Sequence, residues 1–362
     1  MGKVFTTTNK NIPEVVEEMV REFNREPRVI LYYTSVDYDL QELAIALKES
    51  FPFTLFFGCT HIGAFGDGKT IENGIVAMDL DVDDIYVDFV EPTDESLIGF
   101  IERVKKHYNQ EDIRDLNMEE YVGLTLLSPF NDKQEEYIME KLGDKTDLVF
   151  IGGSSADNLT FTGTYAYINE RVKKNGNIVA VIKTKNGYGF MKSQSVVPIK
   201  RGLTVTKLGD NHRVIKEIDN RPALEVYCEV TGLSKEEVSN KMKSYPFGLI
   251  IDEEMFVRSP QAIINGTEIA LYCEIKEGTE IAILKSLKDR VLDETTEVYN
   301  NIATTGQCLV FNCILRKLEL QEESKLDEYH KNLNKIDTIG FHTYGEQMVG
   351  HINQTATMLI LY

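Results

Sequence analysis

Gly152-Gly153-Ser154-Ser155-Ala156 follows the apolar run Leu148 to Ile151 and approximates the G-x-S-x-G turn that exposes a nucleophilic serine at a strand end. That turn requires a helix directly after the serine, whereas Asn158 to Gly163 reads as a turn leading into another strand. The order of the histidines and acids offers no triad either. No residue is therefore assigned a catalytic role, and a serine hydrolase ranks behind binding functions. A phosphate grip needs Gly-Lys-Ser/Thr or G-x-G-x-x-G after a strand, and neither is present. What remains is a loop of small residues whose N–H groups and hydroxyls reach a polar ligand, or whose glycines relieve crowding between strands.

Other reactive side chains are scattered. Asp79-Leu80-Asp81-Val82-Asp83 starts like a calcium loop, but Asp84 stands where the turn needs glycine and Val90 where it needs glutamate. Cys59 with His61, and His342 with His351, lack zinc-finger spacing, and no C-x-x-C-H marks covalent haem. No metal site is assigned. Asn312 and Arg316 close the apolar strand that starts at Gln307, and a guanidinium there suits a carboxylate.

The elements that must position these groups form a mixed α/β pattern. Asn11-Ile12-Pro13-Glu14 opens a capped helix with the stripe Val15, Val16, Met19, Val20 and Phe23. Strand Val29 to Tyr33, a helix from Tyr38 to Lys48, strand Thr54 to Phe57, the loop Gly58 to Gly63 and strand Gly74 to Leu80 follow. The order then recurs: strand Val122 to Leu127, a helix capped at Asn131, strand Leu148 to Ile151, the loop Gly152 to Ser155 and strand Asn177 to Ile182. Ser35 and Ser128, Gly58 and Gly152, and Asn73 and Asn175 match at offsets of 93, 94 and 102 residues. This is read as an internal duplication.

The charged stretch Asp210 to Asn220 precedes a helix starting at Arg221-Pro222 and marks the expected domain boundary. Beyond it come the capping box Ser234 to Glu237 and strands at Phe247 to Ile251, Ile269 to Glu274, Glu280 to Leu284 and Cys308 to Ile314. A long polar helix is expected over Glu319 to Leu333. Two domains result, 1–215 and 216–362, each a mixed β-sheet flanked by helices. With 362 residues, 42% hydrophobic and 27% charged, the chain is ordinary for a globular protein. Its formal charge of −19 opposes nucleic acid and anionic lipid as partners. Five scattered cysteines without a CxxC pair, and no signal or 18-residue apolar run, predict a reduced, cytoplasmic protein.

Several separated stretches resemble the FIST family, a bacterial sensory module with N- and C-terminal parts. They are Leu55 to Gly63, Leu148 to Phe161, Arg221 to Tyr227, Cys308 to Arg316 and Gly340 to Glu346, in that order. The resemblance implies an intracellular input domain that binds a small molecule, amino acids among them, ahead of a signalling output. No output domain follows here, so the expected output is a separate protein acting in trans. The expected ligand site comprises Gly58, Cys59, Thr60, Gly152, Gly153, Ser154, Ser155, Asp157, Asn312, Arg316, Tyr344 and Glu346, facing a polar cleft between the domains. No cofactor is expected. The alternative is a haem-based nitric oxide sensor with His61, His342 or His351 as ligand.

Overall fold

The computed structural model describes residues 3–130, 134–251 and 254–362. The first repeat contains β1 (Val4–Thr7), α1 (Ile12–Phe23), β2 (Val29–Thr34), α2 (Leu40–Ser50), β3 (Leu55–Thr60), the hairpin β4 (Ala64–Gly66) and β5 (Lys69–Ile71), and β6 (Ile75–Asp79). The second contains β7 (Asp84–Val90), α3 (Asp94–His107), β8 (Tyr121–Leu127), α4 (Gln134–Lys145), β9 (Phe150–Ser154), the hairpin β10 (Tyr165–Ile168) and β11 (Arg171–Lys174), and β12 (Asn177–Lys183). The cap predicted at Asn131 lies outside the described residues. α1 shows the expected capping, since the Asn11 side chain accepts from the Glu14 N–H, and it buries Val15, Val16, Met19 and Phe23.

In both repeats the first long strand runs parallel to the second and antiparallel to the last: β2 with β3 and β6, β8 with β9 and β12. A parallel pair needs a crossover, which α2 and α4 supply. The duplication is therefore present in topology, and a third copy accompanies it. β13 (Tyr188–Ser193), α7 (Val291–Asn300), β22 (Gln307–Cys313), α8 (Ile314–Glu322), α9 (Leu326–Asn332), β23 (Asp337–Thr343), the hairpin β24 (Glu346–Met348) and β25 (Gly350–Ile352), and β26 (Ala356–Leu361) repeat the same pairing. The three sheets have matching orders, β1-β6-β2-β3-β10-β11, β7-β12-β8-β9-β24-β25 and β13-β26-β22-β23-β4-β5.

Each hairpin leaves its own repeat and completes another. The second repeat's hairpin pairs with β3 of the first, the third's with β9 of the second, and the first's with β23 of the third. The exchange closes a ring. Equivalent residues Leu31, Leu124 and Leu309 meet Phe57, Ile151 and Ile339 in one central apolar cluster. Helices cover the outer faces: α1 and α2 over the first sheet, α3 and α4 over the second, α7 to α9 over the third. Burial on both faces explains why these strands read as continuous apolar runs.

Between β13 and α7 the third repeat carries an insertion. It holds an antiparallel sheet of β14 (Val196–Leu208), β15 (Val214–Ile218), β16 (Arg221–Pro222), β17 (Phe247–Ile251), β18 (Glu254–Arg258), β19 (Pro260–Ile264), β20 (Glu268–Leu271) and β21 (Glu280–Ser286), covered by α5 (Ala223–Thr231) and α6 (Lys235–Lys241). The capping box of Ser234 and Glu237 forms as expected. The loops expected at Gly58 and Gly152 begin as strand, because β3 runs on to Thr60 and β9 to Ser154, and two further local expectations change. The charged stretch 210–220 contains β15, because Ile215 and Ile218 suffice to fasten a strand whose other residues stay partly wet. The single helix over Glu319 to Leu333 is two, broken at Ser324, where φ is 55° and the Lys325 N–H returns to the Leu320 carbonyl. That turn brings Leu320, Leu326 and Tyr329 into one cluster.

Gly58, Gly152 and Gly340 occupy equivalent positions, opposite Tyr32, Thr125 and Val310 of the parallel neighbour and Tyr167, Gln347 and Phe65 of the exchanged hairpin. A Cβ would lie 1.7 Å from the Tyr32 carbonyl oxygen at Gly58, 1.8 Å from that of Thr125 at Gly152, and 2.3 Å from the Phe65 ring at Gly340. The small residue is required by the carbonyl of the parallel neighbour, which lies within 2.7 Å of the added Cβ at all three positions, and at Gly340 by the Phe65 ring of the exchanged hairpin as well. Each Gly→Ala substitution at these positions should cost about 2–4 kcal/mol in urea unfolding. Gly143→Ala, in α4 with open space around it, should gain up to about 1 kcal/mol.

Candidate functional site

Where α4, the hairpin β24–β25 and the inserted sheet meet, four ionisable side chains gather. Glu135 and Glu136 stand in the first turn of α4, His351 on β25 and Arg213 just before β15. Arg213 Nη2 lies 2.6 Å from Glu136 Oε2 and 3.4 Å from Glu135 Oε2, and His351 Nδ1 lies 3.3 Å from Glu136 Oε1. Burial works against every charge here, so the partners decide. They hold Glu136 well below the usual carboxylate range and, with Cys273 beside it, His351 well above the usual imidazole value. Burial prevails at Glu135, whose affinity for a proton is raised. Glu135, Glu136 and His351 place one ligand atom each within 4.8 Å of one another, but the raised His351 is itself a cation, and with Arg213 it faces the two acids.

A cavity of about 310 Å³ opens above this cluster. Glu135, His351 and Arg213 form its charged side, joined by Asn353, Gln261 and Tyr272, while Phe130, Leu315 and Leu318 form an apolar wall. Its roof is the segment after β9. Leu159 and Phe161 line the cavity yet are 46% and 61% exposed, and both carry positive φ, 58° and 51°. Bulky residues rarely adopt that conformation, at a cost of about 1–2 kcal/mol each. Asp157 offsets it by accepting from Thr160 Oγ1 and the Thr162 N–H, both at 2.9 Å. The Tyr344 hydroxyl donates to Asp157 Oδ1 at 2.7 Å and accepts from the Leu159 N–H at 3.1 Å. Phe161 stacks on the Tyr344 ring with centroids 5.3 Å apart.

The predicted site residues fall into three groups. Tyr344 lines the cavity, Asp157 holds Tyr344, and Ser154 donates to Glu135 while accepting from Gln347 Nε2. Gly152 and Gly153 lie in β9 behind it, and Ser155 bonds the Leu127 carbonyl and Thr164. Gly58, Cys59 and Thr60 lie inside the first sheet, where Cys59 joins the central cluster and Thr60 Oγ1 accepts from the Tyr165 N–H. Arg316 is buried with its guanidinium on Asn312 Oδ1, Ser193 and Thr295 Oγ1. Glu346 accepts from Thr343 Oγ1 at 2.6 Å and Thr355 Oγ1 at 2.7 Å. His61 binds the Gly74 carbonyl and the Gly63 N–H through its two ring nitrogens, and His342 binds Asn312 and His330. A larger groove of about 590 Å³ at Asp67, Asp337 and Lys335 contains none of these residues.

Sequence reasoning missed Glu135, Glu136 and Arg213. One signal was available: Glu135 precedes Ile138 and Leu142 by three and seven residues, so it shares their buried face. Arg213 had none, because a single arginine in a charged stretch looks solvated.

The family matches place the chain in a sensory family of signal transduction. The chain belongs to the FIST family: residues 28–221 match the FIST N domain and residues 223–349 the FIST C domain. It is similar to an uncharacterized protein of Methanocaldococcus jannaschii, 22% identical over 365 residues that cover 94% of this chain and 69% of that protein. Among the described residues no helix is long and apolar enough to cross a membrane.

Burial raises the Glu346 carboxyl to about 7. A raised acid favours the folded state below its unfolded value near 4.5, and the benefit is lost as pH climbs through 7. Glu346→Gln should therefore gain on the wild type by about 2 kcal/mol between pH 5 and pH 8, read from urea midpoints across that range.

Proposed function

We propose that this FIST protein senses a small polar molecule, an amino acid or similar compound, held in the cavity between the aromatic roof and the ion cluster, and signals through a separate partner. The observation that carries this reading is the roof. Two bulky residues held in left-handed backbone over a cavity with a charged side are strain placed at a binding site, where it keeps a contact surface preformed. The composition of the cavity supports an amphipathic ligand: an apolar wall receives a carbon skeleton, while Arg213 and Glu135 offer a cation and an acid for opposite ends. Tyr344, Asp157 and Ser154 enter this reading as wall, brace and backing of the site. The ion cluster replaces the Gly58 loop as its polar side.

A thermal-shift screen of the protein amino acids and short carboxylic acids tests it. A ligand at 100 times its Kd stabilises by about 2.7 kcal/mol, and Tyr344→Ala should abolish the shift by removing both the wall and the brace. Silence from every compound with folded protein would overturn the amino-acid reading.

A further inference from the structure

The insertion meets the rest of the molecule through polar groups. Its main apolar cluster, with Val205, Ile218, Tyr227 and Phe247, draws only on inserted residues, and so does its smaller cluster around Val257 and Leu284. Across the seam, the Glu274 N–H donates to Glu136 Oε1 at 2.9 Å, the Ser259 N–H to Asn353 Oδ1 at 3.2 Å, and Gln354 Nε2 to the Lys243 carbonyl at 2.9 Å. Interfaces of this kind permit relative motion of the bodies they join. Beside the Glu274 N–H, the Arg213 side chain reaches the buried acids of α4, and Arg213, Gln261 and Tyr272 supply the inserted side of the cavity.

We propose that Arg213, Glu135, Glu136 and His351 form a latch that clasps the inserted sheet over the cavity, so that the ligand site opens and closes by movement of that sheet. The sheet is attached to the third repeat at both of its ends, after β13 and before α7, as a body moving on two tethers would be. The first turn of α4 and the exchanged hairpin present the fixed half of the latch, and Arg213 the moving half. Release exposes the cavity, and a ligand bridging the two sides holds it shut. The inference rests on the cavity being the ligand site.

Native cysteines report the motion without any ligand. Cys273 follows β20 in the insertion, with Sγ 3.0 Å from Asn353 Oδ1 across the seam, and Cys313 lines the cavity; both are buried. Cys59 and Cys308 are buried in the clusters of the repeats and serve as controls. Labelling with N-ethylmaleimide, followed peptide by peptide in mass spectrometry, should show Cys273 and Cys313 reacting about tenfold faster in Arg213→Met than in wild type, with Cys59 and Cys308 unchanged. Arg213→Lys keeps the cation on a shorter side chain, and should give a smaller rise at the same two thiols. Lys276→Met, which removes only the exposed pair with Glu140, should give none. Unchanged Cys273 and Cys313 in both Arg213 variants would overturn the latch. So would a rise shared equally by all four thiols. Because this test needs no ligand, a silent compound screen would count against the functional reading alone.

Discussion

The exchange of hairpins around the three sheets is the constraint on which the rest of the structure depends. Each sheet ends on two strands that its own repeat does not supply. Without them β3, β9 and β23 would be edges, with unpaired N–H and carbonyl groups beside apolar faces. Gly58, Gly152 and Gly340 stand on the strands that receive the hairpins, and each leaves out a side chain that would strike the carbonyl of its parallel neighbour. A pair of glycine loops that looks like a repeated ligand grip is thus a repeated packing solution with a third, distant member.

The same exchange builds the site. The hairpin β24–β25 belongs to the third repeat but pairs with β9 of the second, and this delivers His351 to the start of α4 and Gln347 to Ser154. The insertion adds Arg213 from outside the ring. Four ionisable groups from three chain segments then share a place where a lone buried carboxylate would be costly. The cavity lies at this junction because irregular backbone from several sources meets there, while the centre of the ring is filled with apolar side chains.

Much of the fold is legible in local pattern. The Asn11 cap, the Ser234 box, the strand-helix-strand order and the match between the first two repeats rest on neighbouring residues. The third repeat is hidden because the insertion separates β13 from α7, and because α8 follows β22 without the intervening loop found in the first two repeats. The site is legible in part. Tyr344, Asp157 and Ser154 stand in or behind the cavity, whereas Thr60, Asn312 and Arg316 are engaged by partners within the repeats.

The sequence by itself determined the mixed α/β class, the duplication and the family, since all of these depend on residue type and short spacing. Tertiary structure alone decided that the glycines face a neighbouring strand, that Glu135 and Glu136 meet His351 and Arg213, and that Leu159 and Phe161 bend over a cavity. The physical reason is range. Periodicity and capping act within a few residues, but the ionisable groups that meet at the cavity lie as many as 216 positions apart, from Glu135 to His351, and come together only when a hairpin joins another repeat's sheet.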